Sequence, residues 1–402
     1  AVLAFLTIFI SSGVGMGGGG ILVPIYTILL AFGPQHAIPL SNVTIFGGAI
    51  VNACIYLYKK HPKADRPLID WDLVLVMEPV TILGALVGSF INKVTPGWIT
   101  SICLVVLLSV TTYRLVRKSM TKYRTENAQL AAMGHLNSME DVLSLEMTPS
   151  TGQTEDRSML KSEFERTEYE LKDTEVGAVQ ELKNDDLDFD ENEDDEQLVA
   201  IPGIEAEDTV MGEKPNAVLE LILLNEAKLP PWWKIAGVGG VFLTVIVLSI
   251  LRTTSECGST AYWLWTVSNI PLVGVVVFLV RRSLVKKHHQ KLESGFKFLK
   301  GDVKWTPKAT IVYPIICGGA GLMAGMFGIG GGIIKNPLML EMNVRPDVAV
   351  ATSATMIFFT TGAATITYLT FGLLSADYAT LFFLVGFLAT IGGQGLQSPI
   401  PP

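Results

Sequence analysis

Cysteine and histidine are scarce in this 402-residue chain, with four of one and five of the other. Cys54, Cys103, Cys257 and Cys317 are too scattered to form a disulfide framework or a paired-cysteine metal site. Three of them sit inside apolar runs, where a thiol serves as a small packing residue. Of the histidines, only His36 lies outside basic or acidic polar stretches. No histidine cluster, nucleophile elbow or metal-ligand spacing occurs. An enzyme is therefore not expected, and neither is a metal or other cofactor. Charge is sparse as well. Charged residues make up 17% of the chain, and the net charge of -8 comes mainly from one central stretch.

Apolar sequence is what the chain has in abundance. Hydrophobic residues make up 49% of it and its mean hydropathy is +0.42, too apolar for an ordinary soluble domain. A bilayer core takes about 20 apolar residues of helix. Windows of that kind are Ala1–Phe32, Ile38–Tyr58, Leu73–Ile91, Ile99–Val116, Ile235–Leu251, Tyr262–Val280, Ile311–Leu340, Val348–Leu369 and Tyr378–Leu396. The first and seventh are interrupted by glycines. Soluble core helices would carry a polar face, and these do not. The fold class is read as all-α, a polytopic transmembrane helical bundle.

Basic residues cluster after the second segment (Lys59, Lys60, Lys63, Arg66), after the fourth (Arg114 to Arg124) and after the sixth (Arg281 to Lys297). The opposite connections are short and carry one basic residue each, so the clusters are expected to face the cytoplasm. Between Arg117 and Trp233 the composition changes. Nine of the twelve residues in Asp185–Glu196 are Asp or Glu. Such a segment buries too little apolar surface to order itself. Short helices are expected within it near Asn127–Leu145 and Ala217–Asn225. The organisation read from the sequence is a first membrane repeat over 1–116 and an acidic, mostly disordered cytoplasmic insertion over 117–233. Two linking helices over 234–280, a basic cytoplasmic loop over 281–308 and a second repeat over 309–402 follow. The insertion is either a solvated linker or a regulatory segment for a kinase or cytosolic partner.

The repeat rests on a glycine cluster that occurs twice. Gly15-Met16-Gly17-Gly18-Gly19, with Pro24, matches Gly328-Ile329-Gly330-Gly331-Gly332, with Pro337, at an offset of 313. The match continues after a one-residue slip, from Pro34, Ala37, Ser41 and Phe46 to Pro346, Ala349, Ser353 and Phe358. Consecutive glycines cost a helix about 1 kcal/mol each. Unwound backbone at membrane depth survives only when buried in protein or lining a cavity. Helix N-termini there offer N–H groups and partial positive charge to an anion. Broken helices at matching positions of two halves point to a transporter's binding site. The alternative is that the glycines only let helices pack closely.

The doubled Gly-x-Gly-Gly-Gly-x4-Pro, the Ala-x3-Ser helix after it, and Ile69-Asp70-Trp71 leading to Pro79 and Gly84-Ala85 resemble the TauE/SafE family of sulfite and organosulfonate exporters. The resemblance covers about 1–116 and 234–397. It implies an integral membrane permease for sulfite-like or sulfonate-like anions. The long insertion departs from it and suggests a eukaryotic member. The chain is expected to be a piece of a longer protein, with a helix missing after Gln397.

The candidate substrate-binding residues are Gly17, Gly18, Gly19, Gly330, Gly331 and Gly332 as backbone anion binders, with Ser41, Asn42, Thr44, Thr352, Ser353 and Thr355 beside them. Those polar side chains serve equally well as interhelical hydrogen-bonding groups. Lys335, four residues from Gly331 in an apolar stretch, is the cation for an anionic substrate or a side chain reaching for the interface. Glu78, before Pro79, is the candidate for proton coupling or a structural partner for a lysine. Asp70 and Asp377 are read as helix caps. The expected function is secondary transport of a small anion in the plasma membrane or an organelle membrane. An anion channel, or a membrane receptor or scaffold acting through the insertion, is the alternative. The partners expected are that anion and the lipid bilayer, with no nucleic acid. Whether the repeats run parallel or inverted turns on whether a glycine-broken run crosses the membrane or doubles back.

Overall fold

The computed structural model describes residues 2–12, 17–62, 66–145, 230–256, 259–293, 303, 305–306 and 308–397. Its helices are α1 (Val2–Ser11), α2 (Gly19–Leu29), α3 (Pro34–Leu57), α4 (Trp71–Val94), α5 (Gly97–Leu145), α6 (Trp232–Thr254), α7 (Thr260–Glu293), α8 (Ala309–Phe327), α9 (Gly332–Glu341), α10 (Pro346–Thr370) and α11 (Ala376–Gln397). Eight of them are long and apolar enough to cross a bilayer, and only α1, α2 and α9 fall short. The first and seventh apolar runs of the sequence thus each become two helices around a glycine break. The chain divides into two compact units, Ala1–Leu104 with Gly212–Pro402, and Val105–Met211. In the second, the described residues are the continuation of α5, which stays helical through the expected stretch at Asn127–Leu145. The helix expected near Ala217–Asn225 and the acidic run lie outside the described residues.

Local chemistry sets the ends of the central helices. α3 and α10 both open on proline, which tolerates the first turn because its missing N–H would have no partner there. Asp70 caps α4, its Oδ1 accepting from the N–H groups of Asp72 and Leu73. Burial then sorts the helices. Within the membrane-length window, 83% of α10 and 72% of α3 is buried, against 11% of α7. The apolar side chains of α6 and α7, such as Leu243, Val247, Leu264 and Phe278, point outward, as a lipid solvent requires.

Contacts between helices fix their directions. Asp70 N–H donates to Thr352, Glu78 meets Thr360, and Phe90 packs on Phe371, so α4 and α10 are parallel. His36 bonds the carbonyl of Leu373 while Phe46 stacks on Phe358, so α3 and α10 are antiparallel. Gly84 and Gly88 abut Gly318 and Leu322, and Gly321 and Gly325 abut Thr81 and Ala85, which lays α8 along α4 in the same direction. This is backbone-close packing between small residues, a strong glue where lipid offers no hydrophobic driving force.

These directions decide the path of both broken runs. α8 ends level with Asn92, whose amide donates to Met326 O, at the far end of α4. α10 starts level with Asp70 at the near end. The short α9 must therefore carry the chain back, so α8 and α9 form a hairpin. In the other half, Gln394 donates to Ser12 O and to Tyr56 Oη near the end of α3. α2 returns from there to the start of α3, making a second hairpin of opposite sense. The crossing is reciprocal. α4 packs on α8 and α10, whereas α11 packs on α1 and α3.

Candidate functional site

The breaks need glycine. Gly17, Gly18, Gly328, Gly330 and Gly331 have φ of 70°, 71°, 70°, 73° and 73°, a left-handed region costly for any residue with a Cβ. Gly18 and Gly331 are the N-caps of α2 and α9, and no side chain among the described residues caps either helix. The first N–H groups of a helix have no intrahelical acceptor, so each short helix presents its donor end at its break. Pro24 and Pro337 ride inside α2 and α9, where their missing N–H leaves the carbonyls of Gly20 and Ile333 without the usual helical donor.

The two breaks meet. A Cβ placed on Gly19 would lie 2.5 Å from Gly328 O and 2.7 Å from Ile329 Cα. The Ser41 hydroxyl donates to Gly328 O at 2.9 Å, bridging the first half to the second break. Ile45 and Ile357 are both within reach of a Cβ on Gly17 and of one on Gly330. Gly17 and Gly330 differ by the offset of 313, and Ile45 and Ile357 by 312. Gly17, Gly330, Ile45 and Ile357 thus converge on one locus, with the Phe46–Phe358 stack beside it at 5.6 Å.

The remaining candidates divide. Ser41, Asn42 and Thr44 are fully buried. Thr44 donates to Leu40 O at 2.6 Å and accepts from Tyr26 Oη at 2.9 Å. Asn42 donates weakly to Ile38 O at 3.4 Å, and its Oδ1 is buried with no hydrogen-bond partner among the described residues. Thr352 lies away from the breaks, held by the Asp70 backbone at 3.0 Å. Ser353 and Thr355 donate to carbonyls of their own helix, at Val350 and Ala351. Asp70 is a cap as expected, and Asp377 lies in the first turn of α11.

Lys335 and Glu78 form a closed unit. Lys335 Nζ sits 2.9 Å from Glu78 Oε2, and both side chains are fully buried. Thr360 stands between them, accepting from Lys335 Nζ at 2.8 Å and donating to Glu78 Oε1 at 2.6 Å. The lysine does not reach for an interface. Its stem runs beside the second break, with Cε 3.6 Å from where a Gly331 Cβ would be. A buried ion costs several kcal/mol in desolvation, which only a well-bonded partner offsets. Thr360, Ile45 and Ile357 went unnoticed in the sequence. The isoleucines carried a signal, since they keep the same offset as the residues around them.

A family model described as "Sulfite exporter TauE/SafE" matches residues 1–139 and 227–402. The chain belongs to the TauE/SafE family. Curated relatives agree. "Sulfite exporter TauE/SafE family protein 5" of Arabidopsis thaliana is 26% identical over 406 residues, covering 98% of this chain and 74% of its own length. Family protein 2 of the same plant is 26% identical, also over 98% of this chain and 74% of its own, and family protein 1 is 25% identical over 98% and 75%. No solved structure matches. This TauE/SafE protein is a multi-pass membrane transporter of the sulfite-exporter type and not an enzyme.

Proposed function

We propose that the protein is a secondary transporter of a small oxyanion, sulfite or a short sulfonate, bound where the two glycine breaks meet. The observation that carries this reading is the contact of Gly19, at the start of α2, with Gly328 and Ile329, in the break just before the start of α9. Partial positive charge from α2 and α9, with donors that need no side chain, suits an anion that must be released again. The halves act as inverted repeats. Each hairpin packs between helices of both halves, so rocking one half against the other would open the locus to one face at a time.

The Lys335–Glu78 pair supplies the coupling. With the carboxylate ionised, the pair is neutral and Lys335 is held away from substrate. A proton on Glu78 leaves the ammonium uncompensated beside Gly331, and a monovalent anion restores neutrality there. One proton and one such anion therefore move together. The insertion faces the cytoplasm on the basic-loop argument, and a kinase or cytosolic partner for it is a second part of the proposal.

Sulfite uptake into proteoliposomes tests the reading. Saturable uptake that accelerates when protons are supplied from the same side as sulfite supports it. Uptake that rises linearly with concentration and ignores the proton gradient would make the protein a channel.

A further inference from the structure

Arg252, at the last turn of α6, is a buried cation of a different kind. It is 5% exposed. Its guanidinium carbon lies 4.8 Å from the Phe371 ring centre, 5.0 Å from that of Phe90 and 5.9 Å from that of Tyr262. The one hydrogen bond its guanidinium makes among the described residues is Nη2 to Thr370 Oγ1 at 3.3 Å. Among those residues it forms no ion pair, unlike Lys234, Lys335 and Arg345, which each hold a carboxylate. A guanidinium carries five N–H donors. Aromatic faces attract the charge but accept few of those donors, and a buried charge without a counter-ion is costly. An arginine near a helix end usually extends its head into water. This one is turned inward among rings.

Beside it runs a groove of about 490 Å³ between α4, α6 and α7. Leu83, Val87 and Ile91 line one wall, Leu248 and Ile270 the other, and Arg252 closes one end. Val87 and Ile270 are 43% and 56% exposed, so the groove opens sideways onto the lipid-facing surface. Trp263 and Tyr262 stand at the level of Arg252, where aromatic residues mark a membrane interface. Ser249, one turn before Arg252 on α6, also lines the groove. Lys93 Nζ also lies over the Phe371 ring, 4.3 Å from its centre. Length, apolarity and positive charge at the mouth together describe the complement of one acyl chain with a negative headgroup.

We infer that this groove is a binding site for an anionic phospholipid, whose phosphate pairs with Arg252 and whose acyl chain lies along α4 and α7. The lipid supplies the counter-ion that the described residues do not provide and fills the wedge between the α6–α7 pair and α4. Because α4 carries Glu78 three turns away, occupancy would steady the helix on which the coupling pair sits.

The test is native mass spectrometry of the intact protein with added phosphatidylglycerol or phosphatidylcholine, read beside the melting temperature in each lipid. Wild type should hold one phosphatidylglycerol more tightly than phosphatidylcholine and melt higher in it. Arg252→Gln should lose at least about tenfold in phosphatidylglycerol affinity, the loss expected for a charged hydrogen-bonding partner. Val87→Trp leaves the arginine in place and fills the groove, so it should abolish the bound lipid even if Arg252→Gln fails to fold. Equal affinity of wild type for both lipids, or an unchanged preference in Val87→Trp, overturns the proposal. So does an Arg252→Gln protein that binds phosphatidylglycerol normally and has lost only sulfite uptake, which would place Arg252 on the substrate path.

Discussion

Lys335 and Glu78 lie 257 residues apart in sequence and 2.9 Å apart in space, fully buried and bridged by Thr360. Each charge is tolerable only because of the other. Lys335→Met leaves Glu78 as an unpaired buried acid and should destabilise the protein by about 3–5 kcal/mol, as should Glu78→Leu. The double variant removes both charges and should recover most of that loss, within about 1–2 kcal/mol of wild type. Melting in a fixed detergent measures the cycle. If the double variant is as unstable as the sum of the singles, the pair is not what holds these side chains.

The same pair separates stability from coupling. Glu78→Gln keeps the shape of the side chain and mimics its protonated form, so Lys335 is left uncompensated beside Gly331. Sulfite uptake by this variant should continue and lose its acceleration by a proton gradient. Uptake that still follows the gradient as in wild type would remove Glu78 from the coupling step.

Ile45 and Ile357 face Gly17 and Gly330 from α3 and α10. Their side chains limit the space at the meeting point of the breaks. Ile45→Ala with Ile357→Ala should favour a bulkier sulfonate over sulfite by about tenfold or more, since each truncation frees volume worth about 1–3 kcal/mol of discrimination. Competition of unlabelled sulfonates against labelled sulfite uptake gives the ratio directly.

Asp70 tests the opposite expectation. Its carboxylate caps α4, and its N–H is held by Thr352 away from the breaks. Asp70→Ala should cost about 1 kcal/mol of stability and leave the affinity for sulfite unchanged. A large rise in KM without a change in melting temperature would move Asp70, and Thr352 with it, onto the substrate path.

Much of this was legible in the sequence, and the parts that were not share a cause. The spans follow from apolar length. The breaks follow from Gly17-Gly18 and Gly330-Gly331, because few other residues adopt those φ values cheaply. The reversal of the chain at each break was not legible. A run of about thirty apolar residues suits a kinked span and a hairpin equally well. Only cross-helix contacts such as Asn92 with Met326 and Asp70 with Thr352 choose between them. Lys335 and Glu78 each stood out as a charge in apolar sequence. Their pairing depends on a tertiary approach that neither neighbourhood encodes. Thr352 was placed near the site because it starts the matching helix, but it lies two turns before Thr360 on α10 and so meets the Asp70 end of α4 instead.

The central claim is that an anion binds where the two breaks touch, and Gly19 is where it is most exposed to test. Gly19→Ala adds one methyl group against Gly328 O and Ile329, at 2.5 Å and 2.7 Å, whereas Gly239→Ala adds the same group to open space on α6. The measurement is initial sulfite uptake by proteoliposomes holding equal amounts of folded wild type, Gly19→Ala and Gly239→Ala. The account predicts that Gly239→Ala transports as wild type does and that Gly19→Ala loses at least about 90% of its rate, the effect of roughly 1.4 kcal/mol at the site. Normal, saturable uptake by a folded Gly19→Ala protein would contradict it and place the anion elsewhere in the bundle.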